Sequence, residues 1–122
     1  MNEKFIKTLL QIQIQFKLLH WQTESYSEHK AFGKLYDNLD GLIDDFAEIM
    51  MGKYGRFDFS SKFEMSLYDI DNIDVLNLIN SGINDIILLS ENLDPDYDTD
   101  LLNLKDEIMA LLNKGKYLLT LK

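Results

Sequence analysis

Cysteine is absent from this 122-residue chain, which excludes a disulfide framework, a thiolate metal site and a cysteine nucleophile. That absence fits a reducing compartment, and a cytoplasmic location is the expectation. Proline occurs once, at Pro95, so chain breaks must come mainly from glycine and polar clusters. Positive charge is scarce: twelve Lys and Arg stand against twenty-one Asp and Glu, for a net charge of −9. With no basic cluster, nucleic-acid binding is not expected, whereas collecting cations is compatible with the charge. No apolar run approaches the roughly 18 residues of a membrane span, and the start has no signal-peptide pattern, so a soluble, unprocessed chain is expected. Neither a Gly-rich phosphate loop nor a G-x-S-x-G motif is present, leaving nucleotide and hydrolase chemistry without residues.

Hydrophobic residues make up 46% of the chain, enough for one core in a single domain over 1–122. Their spacing is helical. Phe5, Leu9, Ile12, Phe16 and Leu19 recur every three or four residues and predict a first helix over 5–21. The period-two stretch Gln11 to Phe16 would also suit a strand, but the longer pattern around it outweighs that reading. A polar connection over 23–28 follows, with Ser25 or Ser27 as cap. Phe32, Leu35, Leu39, Ile43, Phe46 and Met50 predict a second helix over 29–54, closed by Gly52 and Gly55. Residues 55–71 form a connector with Phe57, Phe59, Phe63 and Tyr68 and room for a short extra helix. Third and fourth helices are expected over 73–93 and 100–119, the latter capped by Asp98 or Thr99. The sum is an all-α, ferritin-like four-helix bundle. Its long connector between the second and third helices is a crossover that makes those two parallel.

Metal-capable side chains fall into two groups. His20 and His29, the only histidines, flank the first turn. Asp44 and Glu48 lie i, i+4 on the second helix, with both carboxylates on one face. His29 and Asp44 are fifteen residues apart, roughly 22 Å along a helix rising about 1.5 Å per residue, so one chain cannot unite the groups. A second copy packed antiparallel across a two-fold axis would bring the histidines of one chain to the carboxylates of the other, twice. Gly33 and Gly41 are symmetric about Asp37, where such an axis would fall, and would let the two helices approach closely. The series Asp94, Asp96, Asp98, Asp100 has Leu101 where a calcium loop needs glycine, and reads as an acidic helix start.

The run Leu18-Leu-His-Trp21, with His29 and the Asp44-x-x-x-Glu48 pair, resembles the ferroxidase region of the Dps-type mini-ferritins, over residues 8–56. The resemblance implies an iron site between subunits, with His20 and His29 from one chain and Asp44 and Glu48 from the other. It also implies that Trp21 lies beside the iron as an electron donor. Fe²⁺ would be oxidised by peroxide or dioxygen and the ferric product stored in a homo-oligomer, at least a dimer and, on the family's pattern, a dodecamer. Zn²⁺ suits the same ligands. The chain departs from the family in its shorter His20–His29 spacing, in having Gly33 where many members carry a further Asp, and in lacking a Lys-rich tail. A diverged member, such as one carried by a phage, can keep the bundle and dimer without the cage. The alternative is a structural or interaction bundle, for example a virion or assembly component, without turnover.

Overall fold

The computed structural model describes residues 2–122 and contains four α-helices, α1 (Asn2–Gln22), α2 (Tyr26–Tyr54), α3 (Val75–Ser90) and α4 (Thr99–Leu118), with one 3₁₀ turn at Ile70–Asn72. No strand occurs among the described residues. The stripes predicted for the first two helices are buried, Ile12 only in part. Phe5, Leu9, Phe16 and Leu19 of α1 meet Phe32, Leu35, Leu39, Phe46 and Met50 of α2, together with Ile79 and Ile86 of α3 and Leu101, Ile108 and Leu112 of α4. The rings of Phe5 and Phe46 lie 4.8 Å apart near one end of the α1–α2 pair, and those of Phe16 and Phe32 lie 6.2 Å apart toward the other, so the two helices are antiparallel.

Several boundaries differ from the periodic reading for local reasons. α2 starts at Tyr26 because Ser25 is its cap: the Ser25 hydroxyl accepts from the Glu28 N–H, and the Glu28 carboxylate returns to the Thr23 hydroxyl at 2.6 Å. It runs through Gly52 and stops at Gly55, whose φ of 93° is open to glycine and whose N–H reaches the Met51 carbonyl. α3 is shorter than predicted, starting after an Asp74 cap and closing in a tight turn from Ser90. At the start of α4, Asp98 occupies the cap position without making the capping bond. Its buried carboxylate instead accepts from the Tyr54 hydroxyl at 2.6 Å and the Asp94 N–H at 2.8 Å, with Lys53 at 3.8 Å, tying the α3–α4 loop to the end of α2. That bond, more than any other cause, holds the Tyr54 phenol up at a pKa of about 12.

The connector carries the topology. Asp58 N–H donates to Glu3, Ser66 N–H to Gln11, Tyr68 N–H to Gln15 and Ile70 N–H to Gln22, so the chain after α2 runs back along the whole of α1. Gln15 is buried and makes a two-way bond, its amide also donating to the Tyr68 carbonyl at 2.9 Å. Two of the glutamines that suggested a strand, Gln11 and Gln15, therefore hold the connector from the face of a helix, while Gln13 bonds Asp40 of α2. The crossover delivers α3 to the end where α2 begins, and α2 and α3 run parallel. α4 then returns beside both, with Lys116 on Asn80 at one end and Lys53 on the Tyr97 carbonyl at the other.

Candidate metal centre at the two ends of the second helix

The short turn between α1 and α2 brings the histidines together. Their rings stack at 3.8 Å between centroids and 16° between planes. Each is fixed by the other's backbone: His20 Nδ1 lies 2.6 Å from the His29 carbonyl oxygen, and His29 Nδ1 lies 2.7 Å from that of His20. A carbonyl can only accept, so both Nδ1 atoms carry hydrogen, and in the neutral imidazole the lone pair sits on Nε2. A backbone carbonyl on Nδ1 is the arrangement that orients a metal-binding histidine.

Gly33 belongs to this pair. A Cβ there would lie 2.9 Å from His20 Cε1 and 3.0 Å from Nδ1, so the glycine makes room for the ring within its own chain. This is a different packing reason from the helix approach expected at Gly33. Gly41 meets nothing within 4 Å and lies on the open surface. The cue was legible, since residue 33 is one turn after His29 and so shares its helix face.

Asp44 and Glu48 project from the exposed side of α2. The Glu48 carboxyl titrates above its ordinary range, first because it hydrogen-bonds Asp44, then because of the Asp44 charge, partial desolvation and Asp45. A pair that crowds its own negative charge in this way is relieved by a cation. Trp21 is 68% exposed beside Lys17, whose ammonium lies 5.6 Å from its ring centre. The histidine pair lines one depression with Tyr26 and Gly33, and Asp44, without Glu48, lines a separate one with Ile6, Leu10 and Ala47. Among the described residues, no three His, Asp or Glu side chains of one chain gather closely enough to hold a metal ion. The separation expected from fifteen residues of helix is therefore present. Among the same residues, no helix is long and apolar enough to cross a membrane.

No solved structure matches the chain. It is similar to an uncharacterized 14.6 kDa protein in the mobD-ri intergenic region of Enterobacteria phage T4, 26% identical over 122 residues that cover 98% of this chain and 88% of the phage protein. Residues 20–119 match the family described as "Family of unknown function (DUF5856)", and the chain belongs to that family.

Proposed function

We propose that this protein is a ferritin-like, iron-binding bundle in which Fe²⁺ is held between two copies, by His20 and His29 of one and by Asp44 and Glu48 of the other. The observation that carries the reading is the reciprocal pairing of the histidines, which ties up both Nδ1 atoms and leaves each Nε2 without a hydrogen-bond partner among the described residues. Imidazole nitrogen with carboxylate oxygen is a donor set suited to Fe²⁺, and Zn²⁺ would occupy it without redox chemistry. The parallel α2 and α3, joined by a long crossover, agree with a ferritin-like topology. Charge supports the antiparallel pairing: Lys30 and Lys34 lie toward the histidine end of α2 and Asp44, Asp45 and Glu48 toward the other, all exposed, so two copies oppose unlike charges. In the redox step two Fe²⁺ give one electron each to a peroxide, which takes up two protons and leaves as two waters. On the same resemblance, Trp21 would give one of these two electrons where only one Fe²⁺ is bound. A homodimer is the smallest competent unit, and a dodecameric shell is the larger assembly the resemblance implies.

The second reading, a bundle without turnover, rests on the same histidines, because the reciprocal bonds also clasp the α1–α2 hairpin. Complementation separates the two. A chain lacking both histidines and a chain lacking both carboxylates should each be inactive in Fe²⁺ oxidation. Their mixed dimers keep one intact site of two, so random pairing should restore roughly a quarter of wild-type activity. Mixed dimers that form and stay inactive would leave the non-catalytic reading.

A further inference from the structure

We infer that the α1–α2 face is a self-complementary docking surface on which a second copy seats its Trp21 and Tyr26 in an apolar groove. The inference rests on the two-copy reading above but requires no metal. Tyr26, Lys30, Gly33, Asp37, Asp40, Asp44, Ala47 and Met51 follow one another at alternating intervals of three and four. At about 100° per residue they share one stripe of α2, next to α1. The stripe differs at its two ends. At the start of α2 stand two projecting aromatics, Trp21 and Tyr26, which are 68% and 72% exposed. At the far end the surface is recessed, with Ile6 and Leu10 of α1, Ala47 and Met51 of α2 and Phe57 and Phe63 of the connector lining a groove.

The knobs and the groove are placed for exchange. An axis that puts His29 opposite the middle of the Asp44–Glu48 pair passes between residues 37 and 38, and it carries Tyr26 to the level of Ile49, between Ala47 and Met51. On α1, Gln13 bonds Asp40 and His20 packs on Gly33, so the same axis passes near Gln15. Trp21, six residues beyond that point, is then opposite Leu10 and its neighbours. Both aromatics of one copy reach the groove of the other by one rotation, and the rotation does the same in reverse, as an isologous interface requires. In this register Lys30 comes opposite Asp45, while the Asp37 side chains of the two copies face each other near the axis. Large exposed aromatics are the residues that anchor interfaces when a pocket receives them.

Trp21 is the chain's single tryptophan, so its emission reports docking without a label. The metal-free full-length protein is diluted across a concentration series, with sedimentation and acrylamide quenching measured together. The expected result is a blue shift and loss of quenching in step with dimer formation. Tyr26→Ala at the knob and Ala47→Arg in the groove should each weaken the dimer about tenfold or more with unchanged helicity, the effect of losing an interface anchor. Tyr26→Ala removes a side chain that lies outside the core and touches only the His29 ring and Lys30, so it tests the idea even if Ala47→Arg folds poorly. A dimer whose Trp21 stays quenchable, or which is indifferent to Tyr26→Ala, overturns this docking while leaving the two-copy reading standing. A monomer at every concentration, with and without Fe²⁺, overturns both. Docking with Trp21 buried but no iron oxidation supports the surface and removes the ferroxidase reading.

Discussion

Gly33→Ala tests the histidine pair without touching a ligand. In an exposed helical position such as Gly41, where a new Cβ meets nothing, alanine should stabilise by about 0.5–1 kcal/mol through helix propensity. At Gly33 the same gain is opposed, because the methyl would press on His20 Cε1 and Nδ1 at 2.9 and 3.0 Å. The ring cannot slide aside freely, as it is stacked on His29 and hydrogen-bonded to the His29 carbonyl. Losing that bond costs about 1 kcal/mol and losing the stack about as much again, so Gly33→Ala should come out destabilised by about 1 kcal/mol. The two variants would then differ by roughly 2 kcal/mol, or about 8 °C in Tm for a chain of this size. Thermal unfolding followed by circular dichroism at low micromolar concentration is the assay. In a His20→Ala background the obstacle is gone and Gly33→Ala should stabilise as Gly41→Ala does, giving a coupling of about 2 kcal/mol. Equal stabilisation at Gly33 and Gly41 in the wild-type background would refute the packing of His20 on α2.

Gly115→Ala should destabilise by about 1–3 kcal/mol in chemical denaturation, since its Cβ would overlap the core side chain of Leu35 at 2.7 Å. Gln15→Ala, which strands both polar groups of the Tyr68 backbone, should raise amide exchange and proteolysis across residues 56–69 while α1 to α4 stay protected. Tyr54, with a folded pKa of about 12 above its usual 10.0, contributes stability that is complete below about pH 10 and is lost as pH rises toward 12. Tyr54→Phe should flatten that part of the alkaline unfolding profile. Asp44→Asn should lower the Glu48 titration, read by carboxyl NMR, toward the ordinary carboxylate range, and no movement would mean the pair does not interact.

Helix burial was legible because it is local. Phe5, Leu9, Phe16 and Leu19 declare their face by spacing alone, and that face is buried. The start of α2 was legible in principle from Ser25 and Glu28, but the apolar period begins later than the cap and drew the boundary inward. The path of residues 55–69 was not legible, because it has no periodicity and is fixed by bonds to glutamines about fifty residues earlier. At the candidate site, the meeting of His20 with His29 follows from a short turn. Their mutual hydrogen bonds and the space at Gly33 depend on ring orientation, which spacing does not encode. Among the described residues of one chain no three His, Asp or Glu side chains gather, so the proposed site needs two chains.

The glutamine strap along α1 also bears on how this sequence can change over time. Gln11 and Gln15 grip only the peptide groups of the connector, and Gln22 grips one peptide group and one side chain, Asp69. A clamp that recognises backbone is indifferent to most of the side chains it holds. Substitutions should therefore accumulate freely at exposed positions such as Lys62, Glu64 and Leu67, while Gln11, Gln15 and Gln22 are retained. Among family members, the crossover should vary most in sequence where it varies least in path, and the record of its constraint should be written on the helix beneath it.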